Sequence, residues 1–129
     1  MAAMLVAGCG GTGDRRQPPT PESRVRAAAT AYLGALAAQD FGRACRLMTA
    51  PARRDLAGAA GTTCETALRA GAPNASEDLA TVRREVAGAE VEVRGARATI
   101  GPLGTAEQPL RLARQRGRWL VAGDGDGDG

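Results

Sequence analysis

The stretch VEVRGARATI, residues 91–100, decides the fold class. Apolar and polar residues alternate on both sides of its central Arg-Gly-Ala. Alternation with a period of two is typical of a strand that buries one face, and a glycine between two such runs marks a turn. The stretch therefore predicts a β-hairpin with one apolar face, made by Val91, Val93, Ala98 and Ile100.

The same alternation recurs toward the C-terminus, at residues 110–112 and 119–121. Segments 101–104 and 115–118 contain glycine between the alternating runs and predict hairpin-type turns. Residues 81–86 are interpreted as one preceding strand, because two valines bracket a pair of arginines. We therefore expect an antiparallel sheet of four to five strands that is covered on one face.

Upstream of the sheet, the apolar residues recur at helical spacing. Thr20 and Pro21 predict a helix start, and the helix carries one apolar stripe: Val25, Ala28, Ala29, Tyr32, Leu33 and Leu36. Asp40 predicts the cap of a second helix, and Thr62 or Thr63 that of a third helix. Between them, a short turn is expected to start at Thr49 and to stop at Gly58. Helices followed by strands define an α+β class, with N-terminal helices packed on a curved antiparallel sheet.

The N-terminus carries a short apolar run that ends in Val6-Ala7-Gly8 and then Cys9. This run resembles the lipobox of bacterial lipoproteins. The resemblance implies that Cys9 takes a lipid and becomes the mature N-terminus, on the extracytoplasmic face of the cell membrane. Residues 1–8 would then be a signal-peptide remnant. Residues 9–20 are rich in glycine and proline and are expected to form an open tether.

One property of the leader does not fit a complete signal peptide. A signal peptide normally begins with positive charge, and residues 1–8 contain none. We therefore expect that the true start codon lies upstream of Met1. The alternative is a glycine-rich leader in which Cys9 occurs by chance.

The three cysteines are Cys9, Cys45 and Cys64. If Cys9 carries lipid, an even pair remains, and exported chains favour disulfides. The count therefore predicts a disulfide between Cys45 and Cys64, and the alternative is two free thiols. A metal site is disfavoured because the chain has no histidine and no C-x-x-C spacing. We expect neither a metal nor an organic cofactor.

Three further sequence patterns could indicate a ligand, but none of them predicts a nucleotide, calcium or nucleic-acid site. Gly8, Gly10 and Gly13 match a dinucleotide fingerprint, but they lack the strand and helix that it requires. The Asp-Gly repeat in 123–129 opens like a calcium loop but lacks the closing glutamate, so a disordered tail is expected. The net charge is +3, yet the arginines are dispersed among carboxylates and there are only three aromatic residues, so nucleic acid is not an expected partner.

The order of a long helix, two short helices and a meandering sheet ending in Gly-x-Trp resembles the NTF2-like (cystatin-like cone) superfamily. The closest likeness is to small actinobacterial lipoproteins of that superfamily. Residues 31–49, Cys64-Glu65, 95–99 and 117–121 carry the resemblance. It implies a domain over residues 21–122, in which helices close a curved sheet into a cone with an interior pocket.

Six residues are expected to line that pocket: Tyr32, Leu36, Val93, Ile100, Leu112 and Trp119. Enzymes of the superfamily place acids, tyrosines or histidines there. This chain has no histidine, and its inward strand positions include no carboxylate, so we expect no catalytic residues. The predicted function is a non-catalytic module that binds a small apolar ligand or an envelope protein. Two alternatives are an isomerase- or hydrolase-like enzyme and a spacer for a neighbouring protein. The oligomeric state is left open.

Overall fold

The computed structural model describes residues 18–71, 79–103 and 108–123. Within these ranges, five helices precede four strands, which confirms the α+β class. The elements are α1 (Pro21–Ala37), α2 (Phe41–Arg46), α3 (Ala50–Ala60), α4 (Cys64–Gly71), α5 (Leu79–Gly88), β1 (Val91–Arg94), β2 (Arg97–Ile100), β3 (Leu110–Gln115) and β4 (Arg118–Gly123). The predicted signal remnant, nearly all of the tether, and the Asp-Gly repeat after Gly123 lie outside the described residues.

The first four helices begin at the capping residues that the sequence indicates. In each case a side-chain oxygen accepts a backbone N–H three residues later, at 3.0–3.2 Å, and the caps are Thr20, Asp40, Thr49 and Thr63. Such a bond satisfies one of the donors that a helix start leaves without a partner. Of the two candidates for the start of α4, the structure selects Thr63.

Residues 81–86 form a helix and not the strand that the sequence analysis predicts. Val82 and Val86 are both buried, whereas Arg83 and Arg84 between them are exposed. In a strand, Arg84 would share the buried face with the two valines. In a helix, residues four apart are neighbours and both arginines turn toward solvent. The helix therefore keeps the charge of Arg84 in solvent, whereas a strand would have buried it.

Helix α5 packs on α1, and one side chain of α1 closes its C-terminal end. Arg26 Nη1 donates to the carbonyl oxygens of Val86, Ala87 and Ala89, at 2.6, 3.2 and 2.8 Å. The last carbonyls of a helix have no partner within the helix, and a cation there also complements the helix dipole. Arg26 therefore links α1 to the end of α5, just before the chain enters the sheet.

The four strands form one antiparallel meander in the order β1-β2-β3-β4. Pairing places Val91 opposite Ile100, Ala98 opposite Leu112, and Leu112 opposite Val121. These residues form the inner row of the sheet, against which α1 packs. The largest fully buried side chains come from this row and from two helices: Ile100, Leu112, Val121, Val25 and Val86. The apolar alternation in the sequence therefore identifies the core face of the sheet correctly.

The segment between α2 and α3 extends the sheet beyond β4. Met48 forms a parallel bridge with Val121. The Thr49 N–H donates to the Val121 carbonyl and the Val121 N–H donates to the Leu47 carbonyl, both at 2.8 Å. This short contact ties the helical half of the chain to the last strand, and it positions α3 beside the sheet.

Candidate functional site

The sheet and three helices enclose a half-open cleft with a volume of about 910 Å³. Helices α1, α3 and α4 supply one wall, and strands β1–β4 supply the other. Large apolar side chains provide much of the lining: Leu36, Met48, Leu56, Leu68, Leu110, Leu112 and Val121. Among them, Leu36, Leu56 and Leu110 are partly accessible to solvent, whereas Met48, Leu68, Leu112 and Val121 are buried.

A disulfide fixes the position of one helix in this wall. Cys45 of α2 and Cys64 of α4 are bonded, with a Cα–Cα distance of 6.2 Å, which confirms the pairing predicted from the cysteine count. Arg69 of α4 also lies over the ring of Phe41 at 5.3 Å. Both contacts hold α4 against α2, so Ala67 and Leu68 are presented to the cleft from a covalently attached helix.

The residues expected to line a pocket divide into two groups in the structure. Tyr32, Leu36 and Leu112 border the cleft, and Tyr32 and Leu112 are at the same time buried core residues. Ile100 and Trp119 are buried in the same core without bordering the cleft, and Val93 packs against that core. Alternation along a strand shows which side chains face inward, but it does not show which part of the inner face a helix will cover.

The cleft also has charged lining residues that the sequence analysis did not single out. Arg94, Arg97 and Arg111 line it, together with the carboxylates of Asp55 and Glu92. The sheet residues among them occupy the polar positions of the alternating pattern, which the sequence analysis treated as a solvent face. Arg97 and Arg111 alternate with Ala98 and Leu112 along β2 and β3, so their side chains leave the sheet on the face opposite the inner row.

Two of these arginines lie opposite each other on neighbouring strands. Arg94 of β1 pairs in register with Arg97 of β2. Arg94 binds Glu92 with an Nη2–Oε2 distance of 2.7 Å, but both side chains are largely exposed, so the ion pair contributes little stability. Within the described ranges, the guanidinium of Arg97 has no hydrogen bond or ion pair. Arg97 therefore offers its donors to the solvent or to a ligand.

Apart from the arginines, the titratable residues that the structure describes around the cleft are Tyr32, Asp55 and Glu92. Tyr32 is buried at its edge, but Asp55 and Glu92 are both exposed. A cavity catalyst usually needs a carboxyl group shielded from water, because burial is what adjusts its proton affinity. In residues 18–71, 79–103 and 108–123, no group of three or more potential metal ligands comes together.

Comparison of the chain with protein-family models, with curated proteins and with solved structures finds no match in any of the three. No helix within the described ranges has the length and apolar character needed to cross a membrane. The structure itself defines the class of the protein: an α+β domain with five helices in the described chain, followed by a curved four-stranded antiparallel sheet.

Proposed function

We propose that this protein is an exported lipoprotein, anchored through Cys9 on the extracytoplasmic face of the membrane. Its domain, residues 21–122, is proposed to be a non-catalytic NTF2-like module that holds a small apolar ligand. The observation that carries the proposal is the half-open apolar cleft between the sheet and helices α1, α3 and α4. A protein partner at the cell surface is the other occupant that the cleft could accept.

The size and lining of the cleft support ligand binding. Small-molecule sites are typically concave, mostly apolar and roughly 300–1,000 Å³ in volume. The cleft has about 910 Å³ and is lined by leucines from both walls. The order of the elements, with helices first and then an antiparallel meander, is compatible with the NTF2-like cone that the sequence resembles.

The cysteines support export and anchoring. Disulfides persist in oxidising compartments outside the cytosol. The bond between Cys45 and Cys64 leaves Cys9 as the third cysteine, at the position where the lipobox resemblance requires lipid. The two features are independent, because one is a contact in the folded domain and the other is a motif in the leader.

Ligand binding is tested with a neutral apolar probe. We expect N-phenyl-1-naphthylamine to gain fluorescence with the full, oxidised chain and to bind with saturation. Leu56→Arg places a charge in the apolar wall and should weaken binding at least tenfold. Leu79→Arg is the matched control, because Leu79 is already exposed and does not line the cleft. If the wild-type chain does not bind the probe, the ligand proposal fails and a protein partner becomes the better explanation.

Anchoring is tested with the natural reading frame, including the codons upstream of Met1. Cells fed radiolabelled palmitate should label the wild-type protein, which should partition into the detergent phase of Triton X-114. Cys9→Ser should abolish both the label and the partitioning, whereas the Cys45→Ser/Cys64→Ser variant should keep them. An unlabelled wild-type protein, or a labelled Cys9→Ser variant, would refute the anchor.

A further inference from the structure

We infer that the end of the sheet where its two hairpins turn faces the membrane and binds the head groups of anionic lipids. This surface, called the hairpin end, comprises residues 94–97 and 114–118. The inference rests on the proposed anchoring and adds an orientation of the domain on the membrane. It is carried by the charge of the hairpin end, by its exposure, and by how few acidic groups the described residues place near its arginines.

The meander brings two hairpin turns to the same end of the sheet. Gly95-Ala96 joins β1 to β2, and Arg116-Gly117 joins β3 to β4. In an antiparallel meander these two turns lie on one side, and the connection from β2 to β3 lies on the other. The Arg114 N–H also donates to the Ala96 carbonyl at 2.8 Å, so the second hairpin touches the turn of the first.

The hairpin end is strongly positive. It carries five arginines, all of them exposed: Arg94, Arg97, Arg114, Arg116 and Arg118. Glu92 is the one carboxylate in the four described strands, and it pairs with Arg94. Arg114 lies over the ring of Trp119 at 5.8 Å, a contact that does not neutralise its charge. Within the described residues, the side chains of the other three arginines have no hydrogen bond or ion pair. Four positive charges therefore lack an acidic partner there.

Folding produces this concentration of charge from segments that are separate in the sequence. Outside the hairpin end, the described residues include ten arginines and six carboxylates, which agrees with the dispersed pattern in the sequence. The hairpin end has five arginines and no carboxylate of its own. The remaining residues of the two turns are Gly95, Ala96 and Gly117, which are too small to keep the arginines away from a flat surface.

An anionic lipid surface is the partner that this arrangement fits best. It offers many phosphate groups side by side, and guanidinium groups bind phosphate well. The chain between the proposed lipid on Cys9 and helix α1, residues 9–20, can extend over at most about 40 Å, so the anchor holds the domain near the head groups. Nucleic acid fits less well, because Trp119, the one aromatic residue of the described strands, is buried and cannot stack on a base.

The test is sedimentation of the protein with lipid vesicles. The full, oxidised chain carries Cys9→Ser, so that a lipid on Cys9 does not contribute. We expect it to bind vesicles of equal parts phosphatidylglycerol and phosphatidylcholine about tenfold or more tightly than vesicles of phosphatidylcholine alone, and added salt should remove the difference. A basic residue near an anionic surface strengthens binding about fivefold. Arg116→Gln/Arg118→Gln should therefore weaken binding to the anionic vesicles roughly twentyfold.

The matched control is Arg24→Gln/Arg83→Gln, which removes the same charge from exposed residues of α1 and α5 and should keep nearly all of the affinity. Equal binding to both kinds of vesicle, or an equal loss in the two double variants, would overturn the inference. Tighter binding to a DNA duplex than to the anionic vesicles would also overturn it. None of these outcomes affects the anchor, because palmitate labelling of Cys9 is measured separately. Loss of that label alone would refute the anchor and leave the lipid-binding surface intact.

Discussion

Arg26 connects two helices through one guanidinium nitrogen that donates to three carbonyl oxygens at the end of α5. Removal of the side chain would leave those carbonyls without a charged donor. We expect Arg26→Ala to lower the free energy of unfolding by about 1.5–3 kcal/mol. Urea denaturation followed by circular dichroism measures this change. Arg24→Ala is the control, since Arg24 is exposed on the same helix, and it should change stability by less than about 0.5 kcal/mol.

Gly101 has a backbone conformation that a larger residue would not adopt without strain. Its φ is 116°, and a Cβ added there would lie 2.8 Å from the Leu103 nitrogen. We expect Gly101→Ala to destabilise the protein by more than about 1 kcal/mol in urea denaturation. Gly88→Ala is the control, because a Cβ at the end of α5 meets open space. A change of equal size in both variants would contradict the importance of the φ angle.

At the scale of elements, the disulfide between α2 and α4 closes a loop whose ends are 19 residues apart in sequence. The loop-entropy model gives such a bond roughly 3 kcal/mol. We expect a reducing agent to lower the free energy of unfolding of the wild-type chain by about this amount. The Cys45→Ser/Cys64→Ser variant should show the lower stability in either condition. If the reducing agent destabilises this variant equally, the effect does not come from the bond.

Comparison of α5 with the first helices shows what local sequence can determine. Thr20 and Asp40 were recognisable as caps because a cap needs only a side chain and the N–H three residues later. Ser76 and Asp78 precede residues 79–88 and belong to the same residue types, but the sequence analysis did not use them, and two valines four apart fit one face of either a strand or a helix. Their assignment depended on the position of Arg84, which only packing against α1 decides.

At the scale of the whole molecule, the apolar pattern identifies the inner face of the sheet but not the position of the cleft. Tyr32, Leu36 and Leu112 are among the residues around the cleft, and their predicted role in binding stays a prediction. Which part of the inner face is left open depends on where α3 and α4 lie. That placement follows from the Met48–Val121 bridge and from the disulfide, which are contacts between distant parts of the chain.

Ligand binding should be visible in the stability of the whole domain. A ligand that binds only the folded state raises the free energy of unfolding by about 2.7 kcal/mol at one hundred times its dissociation constant. We therefore expect saturating N-phenyl-1-naphthylamine to shift the urea midpoint of the wild-type chain upward. At the same probe concentration, Leu56→Arg should shift less and Leu79→Arg should match the wild type. An equal shift in all three proteins would indicate binding elsewhere.

The bridge between Met48 and Val121 also has a consequence for the order in which the chain folds. The segment 47–49 obtains its hydrogen bonds from β4, which is far away in sequence, whereas Cys45 and Cys64 are close in sequence. Local contacts form before contacts between distant residues, since closing a long loop costs more entropy. The helices α2 and α4 can therefore be joined early, whereas the segment 47–49 finds its partners only when β4 docks beside it.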